Sequence, residues 1–210
     1  MLSPDPDLQL LAQWRDGQSS AGETLFLRHF DALKRFFRNK VSSGMEDLMQ
    51  KTFLVCVENK EQVRGDSTFR SYLFGVAHNV LRNHLRGKRR KDDPVDFGTV
   101  SAAALDPTPS VYVAGRQEQQ TILLALRQIP LMYQVVLELY YWEQMERNEI
   151  AATLDIPPGT AASRLRRGRA LLKVELEGLA ETPALLQQTL TNLDDWAAGL
   201  AAGVRRGAAN

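Results

Sequence analysis

The 210-residue sequence contains one cysteine, Cys56, and three histidines, His29, His78 and His84. A single cysteine excludes an internal disulfide framework and suits a reducing compartment. Lying in the apolar run Phe53–Val57, it reads as a small core residue and not a reactive thiol. The histidines have no accompanying set of cysteines and carboxylates at metal-ligand spacing, so a metal centre has no candidate ligands. A glycine loop able to cradle phosphate is missing as well. No cofactor is expected, and an enzyme is the least supported class. No apolar run approaches the roughly 20 residues of a membrane span. The opening "MLSPDPDLQL" lacks the basic start and apolar core of a signal peptide. The expectation is a soluble, cytoplasmic protein with no membrane role. Period-2 alternation of β-branched residues does not persist anywhere, so strands are missing too.

Helical spacing recurs throughout. With 44% hydrophobic residues the chain can bury one or two modest cores. Leu8, Leu11, Ala12 and Trp14 form a first stripe, and a break follows at Gly17–Ser20. Leu25, Phe26, Phe30, Leu33, Phe36 and Phe37 make a longer one, ended by Ser42-Ser43-Gly44. Glu46 and Asp47 open the next helix at its favourable dipole end, with Leu48, Phe53, Leu54 and Val57 expected to face a core. "RGDSTF", Arg64 to Phe69, reads as a turn. Tyr72, Leu73, Val76, Ala77, Val80, Leu81 and Leu85 then share one apolar face, and the helix dissolves into "RGKRRKDD".

From Asp92 to about Ala114 the composition turns to proline and small residues, which predicts a linker, extended or disordered when alone. A second helical block runs from about Arg116 to Leu176. Its core candidates are Ile122, Leu123, Leu126, Ile129, Val135, Val136, Leu139, Ile150, Leu154, Leu165, Leu171 and Leu172. The fold class is therefore all-α, with two small helical domains, a flexible linker between them and a C-terminal helical extension.

The net charge is only +1, which argues against a uniformly basic coat. The charge is nevertheless clustered, with basic residues crowded into Arg82–Lys91 and Arg164–Lys173. Placement, more than net charge, governs nucleic-acid binding. "RNEIAATLDIPPGTAASRLRRGRALL" has the form of a helix-turn-helix. Arg147–Leu154 is the first helix, Asp155-Ile156-Pro157 the turn, and Pro158 sits where a first helical turn tolerates proline. Thr160 can offer its hydroxyl at the second helix's start, and Ser163, Arg164, Arg166 and Arg167 point away from Leu165 and Leu172. Gly159, Ala161 and Ala162 are small enough to let that helix end sit deep in a major groove. The competing reading is a solvated basic face. In the first block, Asn79, Arg82, Asn83 and Arg86 share a polar face. Amides and guanidinium groups bind phosphates and read base edges. Phe69 and Tyr72 precede them, either as platforms for unstacked bases or as ordinary core anchors.

"MEDLMQKTFLVCVENKEQVRGDSTFRSYLFGVAHNVLRNHLRGKRR" resembles region 2 of the extracytoplasmic-function (ECF) sigma factors of the sigma-70 family. "ALRQIPLMYQVVLELYYWEQMERNEIAATLDIPPGTAASRLRRGRALL" resembles their region 4. The likeness spans about Leu8 to Lys173, with two blocks in the right order across a linker. It implies region 2 at residues 1–91, a linker at 92–114, region 4 at 115–176 and an extension at 177–210. It implies an alternative sigma factor that brings RNA polymerase core to promoters, recognises the −35 duplex with Thr160, Ser163, Arg164, Arg166 and Arg167, and recognises and melts the −10 element with Phe69, Tyr72, Asn79, Arg82, Asn83 and Arg86. Glu46, Asp47, Gln50 and Phe53 would grip the clamp helices of β′, and the β flap is the second polymerase contact implied. An anti-sigma factor, or intramolecular control by the extension, is the regulation such a protein would take. A freestanding helix-turn-helix regulator is the alternative reading, one that calls for a symmetric dimer.

Three features depart from the family pattern. Tyr72 stands where tryptophan is common, Ala162 where a long base-reading side chain is frequent, and Trp142-Glu143-Gln144-Met145 where the family has a glycine-containing turn. Past Thr182, Leu186, Leu190, Leu193, Ala197 and Leu200 recur at helical spacing, predicting an added helix that is either structural or regulatory.

Overall fold

A computed structural model of the chain describes residues 6–62, 68–88, 96–105 and 117–179. The described residues form α1 (Pro6–Arg15), α2 (Ser19–Arg38), α3 (Met45–Glu58), a 3₁₀ turn at Lys60–Gln62, α4 (Phe69–Lys88), the single turn α5 (Ala102–Leu105), α6 (Gln117–Gln128), α7 (Leu131–Tyr141), α8 (Arg147–Leu154) and α9 (Pro158–Leu179). Their only β pairing is an isolated bridge between Ser101 and Pro130. The extension from residue 180 onward lies outside the described residues, as does most of the "RGDSTF" turn.

The first four helices wrap an aromatic core. On α2, Leu25, His29, Leu33, Phe36 and Phe37 return to one face at three- and four-residue spacing and are buried. Trp14 of α1 meets Phe26 edge-on at 5.2 Å. Gly22 makes room for it: a Cβ there would lie 2.6 Å from the indole. Asp7 anchors the start of α1, accepting from Arg28 and sitting 2.6 Å from His29 Nε2. Burial opposes ionisation of this carboxyl, but His29 and Arg28 outweigh it and hold Asp7 below the usual carboxylate range.

On α3 the inward face is Leu48, Met49, Thr52 and Cys56; of the expected Leu48, Phe53, Leu54 and Val57, Leu48 is buried and Phe53 packs half-buried on the core, whereas Leu54 and Val57 turn outward. At about 100° per residue, α3 carries two apolar stripes, and the sequence does not say which one meets the core. Leu54 is 54% exposed and Val57 45%. Cys56 is fully buried, and burial pushes its thiol up to about 12, so it is inert packing.

Helices α6–α9 form the second unit. Ile122, Leu126, Ile129, Val135, Val136, Leu139, Ile150, Leu165 and Leu172 are buried as expected, and Leu123, Leu154 and Leu171 pack on them half-buried. Gly168 lets α9 approach α7 closely, since a Cβ there would sit 3.2 Å from Leu137. Gln144 takes a left-handed conformation, φ 53°, in the turn where the family pattern has glycine, and its amide donates to the Tyr141 carbonyl at 2.6 Å.

Two features were not foreseen. The described part of the 92–114 segment is packed: the carbonyls of Phe97 and Val100 accept from the Met132 and Leu131 amides, capping the start of α7, and Ala102 is fully buried. The two helical units also share one continuous core, with α4 against α8 and α7 buried nearly all round.

Candidate nucleic-acid and polymerase interface

The helix-turn-helix is built by its turn. Asp155 closes α8 in the left-handed region, φ 52°, and the Ile156 amide returns to the Ala151 carbonyl at 3.0 Å. The Pro157 carbonyl then takes the first bonds of α9, from Thr160 at 2.9 Å and Ala161 at 3.1 Å. Ala161, Leu165, Gly168, Leu172 and Leu176 face inward. Ser163, Arg166 and Arg167 lie on the exposed face, while Thr160 and Arg164 are half-buried beside it. Arg169 is exposed as well, but its guanidinium stands over the rings of Tyr140 and Tyr141 at 5.1 and 5.3 Å.

On α4, Asn79, Asn83 and Arg86 are exposed on one side of the helix. Arg82 is half-buried, its guanidinium over Phe97 at 5.7 Å. The two aromatics part company. Phe69 is fully buried against the Trp14, Phe26 and His29 rings, so it is a core anchor whose face is closed to a base. Tyr72 is half-buried and donates to the Asn59 carbonyl at 3.4 Å. Burial pushes its phenol up to about 12.

Glu46, Asp47 and Gln50 are exposed along α3, and Phe53 is half-buried beside them. The structure adds a shallow apolar groove in which Phe30, Met49, Leu54 and Val57 join Glu46, Gln50 and Phe53. Leu27, 68% exposed, and Phe30, 42% exposed, extend this apolar face along α2. Its apolar floor has an acidic edge, the composition of a protein-docking surface. The available signal was the second apolar stripe of α3, which sequence reasoning assigned to the core.

Residues 25–91 match the model of sigma-70 region 2, and residues 119–172 match sigma-70 region 4. The RNA polymerase sigma factor CarQ of Myxococcus xanthus is 32% identical over 177 residues, covering 81% of this chain and 97% of CarQ. The chain belongs to the sigma-70 family. Within that family it is an ECF-type alternative sigma factor, which directs RNA polymerase to promoters. The sigma-H factor of Pseudomonas aeruginosa is 27% identical, covering 85% of this sigma factor and 98% of its relative. Among solved structures, CnrH in complex with the cytosolic domain of CnrY shares the fold at TM-score 0.63 and 24% identity, covering 84% of this chain and 100% of that one. The sigma factor RpoE of Bartonella quintana, in complex with the anti-sigma factor NepR, aligns at TM-score 0.57 and 20% identity over 74% of this chain and 96% of that one. No helix among the described residues of this sigma factor is long and apolar enough to cross a membrane.

Proposed function

We propose that this sigma factor divides promoter recognition between α9 and α4 and docks on polymerase through the α2–α3 groove. The observation that carries the reading is the row Ser163, Arg166 and Arg167, exposed on α9 directly after a helix-turn-helix turn and opposite a buried Leu165–Leu172 face. Small side chains at Gly159 and Ala162 let the start of α9 approach base edges of a −35 duplex, with Thr160 and Arg164 at its flank. On α4, Asn79, Arg82, Asn83 and Arg86 hold the −10 strand, with Tyr72 as the aromatic platform and Phe69 supporting the loop from the core. Glu46, Asp47, Gln50 and Phe53 meet a basic helical partner in the polymerase, the groove supplying apolar contact area. The protein acts without catalytic chemistry of its own, in the cytoplasm where polymerase works. The groove is also where an anti-sigma factor can compete.

Transcription in vitro with core polymerase and a promoter library tests this reading. The wild-type chain yields transcripts from a defined −35/−10 pair. Failure to do so from any promoter, with strong binding to a palindromic duplex, favours the freestanding regulator instead.

A further inference from the structure

We infer that the C-terminal extension folds back along α9 as an antiparallel helix, pairs with the row Gly178, Val174, Leu171, Arg167 and Arg164, and so competes with −35 DNA for the reading face. The competition rests on the assignment of α9 to the −35 element, whereas the docking does not.

Helix α9 carries two rows of side chains. Ala161, Leu165, Gly168, Leu172 and Leu176 face the core. Thr160, Arg164, Arg167, Leu171, Val174 and Gly178 form a second row, turned away from the first and repeating in alternating steps of four and three residues. The first half of this row belongs to the proposed DNA-reading surface. The second half is apolar and open: Val174 is 61% exposed, and Leu179 at the helix end is 40% exposed. Leu124 of the adjoining α6 is the other large apolar side chain exposed on this unit among the described residues. Apolar groups gathered on an otherwise polar surface mark a docking site.

The chain itself supplies the occupant, because residues 180–210 leave from the end of α9, beside the apolar half of the row. Leu186, Leu190, Leu193, Ala197 and Leu200 repeat in the same steps of four and three. Rows with that alternation on two helices pack as a coiled coil. Only Ala180–Thr182 separate Leu179 from Pro183, and Thr182-Pro183 suits a helix start. So short a connection makes consecutive helices antiparallel neighbours. About a turn centred on Thr182 the two rows fall into one register. Leu186 lies opposite Gly178, Leu190 opposite Val174, Leu193 opposite Leu171, Ala197 opposite Arg167 and Leu200 opposite Arg164. A shift of one residue breaks every one of these pairs. Charge agrees with the register. Between Pro183 and Val204 the only charged residues are Asp194 and Asp195, and α9 is basic from Arg164 to Lys173. Asp194 borders the apolar row and comes level with Ala170, ~4.5 Å along the axis from Arg167. The α2–α3 groove is a poorer seat, since Glu46 and Asp47 make its edge acidic as well. With the extension docked, −35 DNA must displace it from Arg167 and Arg164. A docked-to-free ratio of about ten would weaken apparent −35 affinity about tenfold.

Cross-linking in the full chain tests the docking. Val174→Cys with Leu190→Cys should form an intramolecular disulfide on mild oxidation, and Val174→Cys with Gln188→Cys, on the opposite face of the extension, should not. Cys56 is buried and does not interfere. A missing 174–190 disulfide, or one formed equally well from position 188, overturns the docking. A disulfide joining two chains seats the extension on a second copy and overturns it too. Amide exchange in the extension should be slow in the wild type and fast in Val174→Asp. Protection kept in Val174→Asp but lost in Leu54→Asp would seat the extension in the α2–α3 groove instead. The competition is read by anisotropy with a −35 duplex. Leu190→Asp with Leu193→Asp charges the extension's row, leaves α9 untouched and should bind severalfold tighter than wild type. The oxidised 174–190 protein should bind severalfold more weakly than its reduced form. A Leu190→Asp/Leu193→Asp protein that unfolds, or binds no tighter, overturns the competition. If Arg167→Ala leaves duplex binding unchanged while the disulfide still forms, the −35 assignment of α9 fails and the docking stands.

Discussion

Arg70 and Glu149, 79 residues apart, pair through two hydrogen bonds from one guanidinium nitrogen, at 3.0 and 3.3 Å. Burial would raise the Glu149 carboxyl, but the Ser71 hydroxyl, Arg70 and Thr68 outweigh it and hold the group below its ordinary range. The stability this contributes is present above the ordinary glutamate value and is lost as pH falls through the lowered one. Glu149→Gln should therefore destabilise the fold near neutral pH and remove part of its acid sensitivity. Thermal midpoints of both proteins between pH 7 and 3.5 check this. Parallel curves would show that Glu149 carries no linkage.

His78 gives a second pH signature. Burial, then Arg82, Lys40 and Arg164, depress it to about 4 from its ordinary 6.5. The folded imidazole stays neutral, so stability falls as pH drops from about 6.5 toward 4, where an unfolded chain takes up the proton first. Imidazole proton shifts in an NMR titration should show His78 titrating far below the ordinary range. A midpoint near 6.5 in the wild type would show the site to be wet.

The exposed face of α9 should set −35 affinity. Arg167→Ala is expected to weaken promoter binding by about 1–3 kcal/mol while leaving the helical spectrum unchanged. Arg169→Ala should instead cost stability more than affinity, since its guanidinium covers Tyr140 and Tyr141. Fluorescence anisotropy with a −35 duplex, beside thermal melts, separates the two, and equal affinity losses would contradict the division.

Melting and docking should separate too. Asn79→Ala should reduce permanganate reactivity of −10 thymines more than it reduces duplex binding, with a pre-melted promoter restoring activity. Leu54→Asp puts a charge on the groove floor and should cost about 2 kcal/mol or more of core polymerase affinity without touching −35 binding. Because Leu54 is 54% exposed, its fold should survive. A competition assay showing wild-type affinity for core would place the docking surface elsewhere.

Much was legible in the chain. The helices follow from three- and four-residue spacing, and glycine, serine and proline mark their ends. The α8–α9 turn is written in Asp155-Ile156-Pro157-Pro158, where a left-handed stop meets a proline start. The outward placement of Ser163, Arg166 and Arg167 follows from Leu165 and Leu172 facing in, an arithmetic of helix period alone.

Tertiary structure decided the rest, wherever one segment allows two partners. Helix α3 has two apolar stripes, and only packing against α2 and α4 committed Leu48, Met49, Thr52 and Cys56 to the core, leaving Leu54 and Val57 for a partner. Phe69 was equally suited to a base or a core until Trp14, Phe26 and His29 closed around it. Residues 96–105 look like linker by composition, yet their carbonyls find the open amides at the start of α7. The buried pairing of Lys40 with Glu138 has no local signature at all. Each residue alone reads as a surface charge, and only the meeting of two units distant in sequence removes both from water.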